Sequence, residues 1–389
     1  MRRVAIVGVG LTRTGRRADV SHQELVWEAV REALDDAKIG IDEIEAVVHG
    51  SMDNFDGISS PERFDSPALG CGRGFGKPLI KISTGGTTGI STALAAYYHI
   101  ASGLYDVVLA VAVQKVSENV EAQQVLNTAI EPILERVFGM GAIHAAAFQQ
   151  IRYATVYKKN IEDYLAEVAI KNRQDAMRNP YAHLRINITL KDYYNSPYLV
   201  WPLRLLDSCP SSDGAVALIF ASDTKAKKIT DNPVWIRAVE YISDTYYWSE
   251  KTIEFWDNLA LLAKRLYKKA KIENPLKEIQ VAELYNAFTI QEIMEYEAFG
   301  FANKGMGWKL LEEGITKFYG SLPVCPSGGV LSTNPIGATG LIRVAEAALQ
   351  VMGKAGQRQV PNVENALAHA WGGALQFHGA MIISRERHY

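Results

Sequence analysis

A short turn in the sequence places two glycines and two hydroxyl side chains at the start of a helix. Residues 82–96 read ISTGGTTGISTALAA, which predicts a short strand, a turn at Gly85 and Gly86, and a helix of small residues. Such a turn lets a ligand approach the backbone closely, and N–H groups at a helix N-terminus suit a negatively charged oxygen. Thr87 and Thr88 add hydroxyls there, but threonine is a poor nucleophile without a base and an ordinary helix cap.

Two strand-end side chains could transfer a proton. Tyr285 ends a predicted strand, where an aromatic ring is ordinary, yet its phenol can also donate a hydrogen bond to an oxyanion or carry a proton. His369 stands just before Trp371 and two glycines at the end of another predicted strand. An isolated histidine at such a place is more often structural than catalytic, so the residue types alone leave both roles open.

The composition excludes several classes of protein. A net charge of −2 among 389 residues gives no basic surplus for nucleic-acid binding, and no apolar run reaches the roughly 18 residues that span a bilayer. The first apolar segment is too short for a signal peptide. The cysteines Cys71, Cys209 and Cys325 are an odd number without metal-ligand spacing. We therefore expect a cytoplasmic protein with reduced cysteines and no metal site.

Apolar strands alternate with helical patterns along the chain, which predicts an α/β fold. Ser21 and Glu24 form a capping-box pattern that opens a helix to about residue 37. Strands are predicted at 4–9, 45–49, 107–113 and 215–221. The turn at residues 82–96 supplies a further strand end and a helix, just ahead of the central strand at 107–113.

The second part of the sequence repeats patterns of the first. ALDDAKIGIDEIEAVVHG (33–50) is echoed by LYKKAKIENPLKEIQVAELYNAF (266–288), and GTTGISTALAAYYHIASG (86–103) is echoed by GATGLIRVAEAALQVMGK (337–354). The order is the same in both halves, which predicts a duplicated α/β unit. Two such layered units would pack into five layers, with the two Gly-x-Thr-Gly helices near each other in the middle.

The predicted halves are residues 1–230 and 231–389. The first half contains an excursion at about 117–205 that is helical, polar and rich in tyrosine. We interpret this excursion as a segment that covers one face of the core and could serve as a substrate lid.

Four segments resemble the thiolase superfamily. VCPSGGVLSTNPIGATGLIRVAEA (324–347) resembles its signature, Asn-Pro-Ser-Gly-Gly followed by Gly-His-Pro-Ile-Gly-Ala-Thr-Gly. LYNAF (284–288), LAHAWGG (367–373) and WPLRLLDSCPSSDGAVALI (201–219) resemble motifs of the sterol-carrier-type and archaeal acetyl-CoA acetyltransferase-like branch. The matches run in the right order over nearly the whole chain. They imply the five-layered αβαβα thiolase fold, made of two duplicated halves.

The chain departs from the family at three catalytic positions. Gly86 stands where thiolases carry the acyl-accepting cysteine, and no cysteine lies within fourteen residues of it. Asn334 replaces the histidine of Gly-His-Pro, and Tyr285 replaces an oxyanion-hole Asn or His. Asn334 could donate a hydrogen bond to a carbonyl oxygen or cap the following helix. His369 retains the remaining catalytic position, where it would act as acid or base on the substrate.

The resemblance implies an acyl-CoA substrate and no other cofactor. Thiolase-like steroid-CoA aldolases also lack the cysteine and have Leu-Tyr-Asp-His-Phe where this chain has LYNAF, although their further tyrosine is absent here. We therefore expect non-covalent aldol or retro-aldol chemistry, with His369, Tyr285 and Asn334 as catalytic residues. Two alternatives stay open: an inert acyl-CoA carrier or scaffold subunit, and acetyl transfer with a partner's nucleophile.

Further residues and partners follow from the same resemblance. Gly86, without a side chain, should leave room and free N–H groups for a thioester oxygen or a bulky acyl chain. Cys209 lies in an Asp-Ser-Cys-Pro segment that looks structural. A homodimer is expected through the strand at 107–113, together with a small OB-fold, zinc-ribbon partner. The expected substrate-binding residues are Gly85, Gly86, Thr87, Thr88, Asn286, Gly328, Gly329, Gly372, Gly373 and His144.

Overall fold

A computed structural model describes residues 2–72, 76–118 and 121–386. The strands of these residues, β1 to β11 in chain order, are Val4–Leu11, Ala46–Gly50, Leu79–Ile82, Val107–Gln114, Tyr198–Val200, Leu203–Arg204, Gly214–Ser222, Val234–Ser243, Val281–Glu283, Asn365–Gly372 and Phe377–Ser384. The α-helices, α1 to α15, are His22–Ala37, Asp53–Asp56, Glu62–Asp65, Thr88–Ala101, Ala122–Asn127, Ala142–Tyr157, Glu162–Ala176, Leu190–Asn195, Asp223–Ile229, Asp257–Ala270, Pro275–Glu278, Thr289–Ala298, Trp308–Glu312, Gly329–Ser332 and Ile336–Met352.

The predicted strands and the first helix are confirmed. Ser21 Oγ accepts a hydrogen bond from Glu24 N (3.3 Å), and Glu24 Oε2 accepts one from Ser21 N (2.7 Å), so both bonds of the capping box form at the start of α1. Strand β1 is buried on both faces, with Val4 and Ile6 in one hydrophobic cluster and Ala5 in another. This double burial explains why the strand reads as a continuous apolar run.

Nine strands form one mixed sheet in the order β3-β2-β4-β7-β1-β8-β11-β10-β9. The order on the two sides of the β1–β8 junction is mirrored: β2 and β9 run parallel to their inner neighbours β4 and β10, and the next pairs, β4–β7 and β10–β11, are antiparallel. The junction itself is a short antiparallel pairing, Ala5 with Trp235 and Ile6 with Val234. The duplicated fold is therefore visible in the topology, while the exact boundary at residue 230 stays a prediction.

The elements are stacked in five layers. Helix α1 packs on the outer face of β1, β4 and β7, and α10 packs on the outer face of β8 and β11. Helices α4 and α15 lie against each other between the two halves of the sheet and contact strands of both. The predicted five-layered αβαβα arrangement is confirmed.

The two central helices cross at equivalent glycines of the repeated Gly-x-Thr-Gly motif. A Cβ atom at Gly89 would lie 2.3 Å from Leu341 N, and one at Gly340 would lie 2.6 Å from Ile90 N. Because both obstacles are backbone atoms, neither position has room for a side chain. The predicted proximity of the two motif helices is confirmed, and the crossing explains why the motif ends in glycine.

The excursion at 117–205 has two different parts, apart from residues 119–120, which lie outside the described residues. Helix α5 and the chain after it lie over a cavity described below. Helix α7 instead packs into the molecule against α12 and α14 and buries polar side chains, so this part is not an open lid. No helix in the described part of the chain is long and apolar enough to cross a membrane.

The expected dimer strand is in the wrong place for dimerisation. Strand β4 lies inside the sheet, paired with β2 on one edge and with β7 along its full length on the other. Its backbone groups are therefore used within one chain, and the prediction of a dimer through this strand is wrong. The outer strand of this side of the sheet is β3, which pairs with β2. The homodimer itself stays a prediction.

Candidate functional site

A cavity of about 370 Å³ lies where the start of α4, the ends of β9 and β10 and the start of α15 meet. Parallel strands place their carboxyl ends at one edge of a sheet, which is where ligands of open α/β sheets bind. The cavity brings together six of the predicted site residues, namely Gly85, Gly86, Tyr285, Asn334, Gly372 and Gly373. Residues that were not predicted also line it, including Cys209 and Gln291.

The turn before α4 is in backbone contact with the end of β10. Gly85 has a φ of +62°, which favours glycine, and a Cβ at Gly372 would lie 2.7 Å from Gly86 N. A Cβ at Gly86 would lie 2.5 Å from Trp371 O and 3.3 Å from Tyr285 Oη. The expected room at Gly86 is therefore not there, because the end of β10 and the Tyr285 hydroxyl occupy the volume that a side chain would need.

The threonines of the turn use their hydroxyls internally. Thr87 Oγ1 donates to Thr84 O (2.5 Å), and Thr88 Oγ1 donates to Gly85 O (2.6 Å). Both residues are fully buried. The structure therefore does not bring the Thr87 and Thr88 hydroxyls to the cavity, and their role is to hold the turn.

Tyr285 presents a protonated hydroxyl to the cavity. Trp371 Nε1 donates to Tyr285 O (2.8 Å), and the two rings meet edge to face with their centroids 5.4 Å apart. Burial raises the pKa of the Tyr285 phenol well above its usual range, and the nearby Cys209 thiol acts in the same direction. The hydroxyl is therefore protonated at neutral pH and can donate a hydrogen bond, and packing against the indole ring holds the phenol beside Gly86.

Asn334 points its amide nitrogen at the cavity wall. Its Oδ1 accepts a hydrogen bond from Thr339 Oγ1 (2.8 Å), and its Nδ2 donates to Cys209 Sγ (3.2 Å). Burial raises the pKa of the Cys209 thiol to about 11, so the sulfur is not a thiolate at neutral pH. Cys209 was missed because its segment resembles a structural motif; only its place next to the Asn334 position in the fold reveals it.

His369 does not reach the cavity. It is fully buried, with Nδ1 3.1 Å from Glu295 Oε1 and Nε2 3.2 Å from His378 Nδ1. Burial lowers the pKa of His369 well below its usual range, and His378 acts in the same direction. Trp371, two residues further along β10, lines the cavity instead. His369 is therefore a neutral imidazole packed behind the cavity wall, and it is not placed to make the expected contact with a substrate.

The remaining predicted residues lie elsewhere. Asn286 Oδ1 accepts from Val330 N (2.8 Å) and holds the buried turn at Gly328 and Gly329, whose φ angles are +94° and +62°. These three residues stabilise the chain behind Tyr285 and do not line the cavity. His144 lines a separate surface cavity of about 410 Å³. In the described part of the chain, no three His, Cys, Asp or Glu side chains are grouped so as to hold a metal ion.

Comparisons with known proteins agree with this architecture. Two family models match, "Thiolase, N-terminal domain" over residues 4–192 and "Thiolase C-terminal domain-like" over residues 247–385. An acetyl-CoA acetyltransferase of Methanothermobacter thermautotrophicus is 31% identical over 388 residues, which are 99% of this chain and 100% of the relative. The chain belongs to the thiolase family. Human sterol carrier protein 2 is 30% identical to this thiolase-family chain over an alignment of 405 residues, which covers 99% of the chain and 72% of the relative.

A solved aldolase structure is similar in fold to this member of the thiolase family. The Ltp2-ChsH2(DUF35) aldolase superposes with a TM-score of 0.84 at 25% sequence identity, covering 99% of this chain and 98% of that chain. The predicted superfamily and its sterol-carrier-type and acetyltransferase-like branch are confirmed.

Proposed function

We propose that this thiolase-family protein binds an acyl-CoA in the 370 Å³ cavity and catalyses non-covalent aldol or retro-aldol chemistry on the acyl group. One observation carries the proposal: the Tyr285 hydroxyl lies 3.3 Å from the Cβ position of Gly86, where the family has its acyl-accepting side chain. A proton donor has therefore taken the place of the nucleophile. The similarity to a solved aldolase supports the same reaction class.

The retro-aldol direction can be written without a charged base. The bond between Cα and Cβ of a β-hydroxyacyl thioester breaks, enolate charge develops on the thioester oxygen as it opens, and the electron pair of the bond ends in a new bond between Cα and a proton. Tyr285 donates its proton to Cα while its oxygen accepts the proton of the β-hydroxyl, which becomes a carbonyl group. Asn334 Nδ2 is a donor for the developing enolate oxygen. The products are an aldehyde or ketone and a shortened acyl-CoA.

Removal of the Tyr285 hydroxyl tests this proposal. With β-hydroxyacyl-CoA substrates, we expect Tyr285→Phe to lower kcat by about 10²- to 10⁴-fold, as loss of a general acid does. The ring packing against Trp371 is retained, so the melting temperature should change little. Products are measured by mass spectrometry as the shortened acyl-CoA and the released carbonyl compound.

The matched control is Tyr319→Phe, whose ring is 84% exposed and lies outside the cavity. This variant should keep full activity. If wild type and Tyr285→Phe are equally inactive with every substrate, with and without a small OB-fold, zinc-ribbon partner, the aldolase proposal fails.

An inert acyl-CoA carrier is the second candidate function. The burial of His369 between Glu295 and His378 favours it, because a histidine that family members use in catalysis is kept away from the ligand here. Tight acyl-CoA binding without turnover, unchanged in both Tyr285→Phe and His369→Ala, would support the carrier.

We also propose that a partner protein completes the CoA site. The described cavity wall contains no lysine or arginine, so the phosphates of CoA need cations from another surface. The similar aldolase is named as an assembly, Ltp2-ChsH2(DUF35). Titration of CoA with and without the partner measures this: the partner should tighten binding, and an unchanged affinity contradicts its role.

A further inference from the structure

We infer that the cavity accepts acyl groups that are uncharged along their whole length and rejects acyl groups that end in a carboxylate. The inference rests on the proposed function, because it concerns the acyl part of the same CoA thioester. It follows from what the wall contains beyond the reacting end, which Gly86, Tyr285 and Asn334 define.

The wall beyond the reacting end is apolar. Val125, Leu126 and Ile130 line it from the excursion, and the rings of Phe55 and Trp248 close it from two other segments. The polar side chains of the whole lining are neutral amides, hydroxyls, indoles and a thiol, and no described residue of the lining is Asp, Glu, Lys, Arg or His. A terminal carboxylate in this space would lose its water without gaining a cation.

Charged residues behind the wall do not change this expectation. Lys171 Nζ lies 2.9 Å from Glu292 Oε1, so this buried cation is already paired. Arg173 is fully buried on α7, and among its neighbours Asp207 contributes most to keeping the guanidinium charged. Arg173 does not line the cavity, so it offers no cation to the far end of an acyl chain. Burial raises the pKa of the Glu295 carboxyl group well above its usual range, so this group beside His369 adds no charge behind the wall.

Matched pairs of CoA thioesters test the inference by binding alone. Hexanoyl-CoA and adipoyl-CoA have six-carbon acyl chains, as octanoyl-CoA and suberoyl-CoA have eight, and only the second of each pair ends in a carboxylate. Calorimetric titration of the full chain should show the dicarboxylic thioester bound at least about tenfold more weakly in each pair, a difference of about 1.4 kcal/mol. Equal affinities within both pairs would overturn the inference.

A cation placed in the wall should weaken the preference for the uncharged thioester. Leu126→Arg, with Val125→Lys as a second variant, adds a positive charge to the lining. We expect the affinity ratio within each pair to fall at least about fivefold, because the terminal carboxylate gains a partner. The matched control is Ile133→Arg, which is 75% exposed and outside the lining, and should leave the ratio unchanged.

The outcomes separate the inference from the proposed function. Preferential binding of the uncharged thioesters without any turnover would support the inference and sink the aldolase reaction. Turnover with no discrimination between the members of a pair would support the aldolase reaction and contradict the inference about the acyl group. If no thioester binds, with or without the partner protein, both fail.

Discussion

At position 86 the neighbours of the residue decide which chemistry is available. Trp371 O and Tyr285 Oη stand where a side chain would extend from Gly86. Real Cβ atoms do not come as close as 2.5 Å to a backbone oxygen, so a substitution must move the end of β10. Restoring the family's cysteine should therefore not restore an acyl-enzyme.

Gly86→Cys should remain unacylated after incubation with acetyl-CoA, measured by mass spectrometry of the intact protein. Gly86→Ala should lower the free energy of unfolding in urea by about 1–3 kcal/mol, the cost of overpacking a filled site. The control is Gly72→Ala, because a Cβ there meets nothing within 4 Å. An acetylated Cys at position 86, or equal stability of the two alanine variants, contradicts the packing argument.

The sequence predicts the members of the site better than their orientation. Tyr285 and Asn334 could be assigned because each ends or begins an element whose end meets the cavity. The orientation of His369 could not be assigned in this way. His369 and Trp371 share a face of β10, and which of the two reaches the cavity depends on residues from other elements, such as Glu295. Cys209 was missed because its neighbour Asn334 is 125 residues away in sequence.

At the scale of elements, α1 is tied to the segment that carries part of the cavity wall. His22 Nδ1 lies 3.0 Å from Asp65 Oδ1, and its Nε2 lies 3.7 Å from Asp56 Oδ2. Phe55, next to Asp56, lines the cavity. Burial disfavours a charged imidazole, but the two carboxylates outweigh it and raise the pKa of His22 to about 9. A protonated His22 thus holds the segment in place.

This pair of contacts predicts a pH-dependent stability. A raised pKa means that the stabilisation is complete below pH 6.5, the ordinary pKa of histidine, and is lost as the pH rises through about 9. Over this window the unfolding free energy of wild type should fall by about 3 kcal/mol relative to His22→Gln. Urea unfolding at a series of pH values measures it.

The control for this experiment is His99→Gln, whose imidazole contacts Ala95 O and the ring of Tyr105. It should retain the slope of wild type between pH 6.5 and 9. A His22→Gln protein with an unchanged slope would show that the two carboxylates do not hold a charged histidine.

The excursion shows why polar patterns alone mislead at this scale. Its polar residues suggested a surface lid, yet Lys171 and Asn172 of α7 are buried. Lys171 Nζ pairs with Glu292 Oε1 at 2.9 Å, and Asn172 Nδ2 donates to Glu292 Oε2 (2.7 Å). Glu292 lies in the other half of the chain, so the burial of α7 depends on partners that the local sequence does not contain. The strands of the core, whose apolar runs are local, were predicted closely.

For the whole molecule, the outer strands of the sheet are β3 and β9, and Ala282 of β9 already pairs with Val324, which leaves β3 as the edge through which two copies could join. We expect the homodimer to form by pairing of β3 with its counterpart, because β4 is enclosed on both sides. Ile80 of β3 is 45% exposed, and Ile80→Lys should shift the protein from dimer to monomer in sedimentation equilibrium, since a charge blocks edge pairing.

Ile151→Lys on α6, at a position 37% exposed, serves as the control and should remain dimeric. A wild-type protein that sediments as a monomer at all concentrations would contradict the predicted homodimer. A dimer that tolerates Ile80→Lys would place the interface on another surface.

The contacts between the two halves join equivalent elements of the repeat. Strand β1 pairs antiparallel with β8, its counterpart in the repeat, and Gly89 meets the helix of Gly340, again its counterpart. Contacts of a surface with its own copy are what a two-fold axis produces in a symmetric dimer. The chain therefore has the form of two half-length subunits that are related by an approximate two-fold axis and joined into one polypeptide. In such a chain each half can carry its own substitutions, as a symmetric dimer of identical subunits cannot, and the turn that meets Tyr285 belongs to the first half.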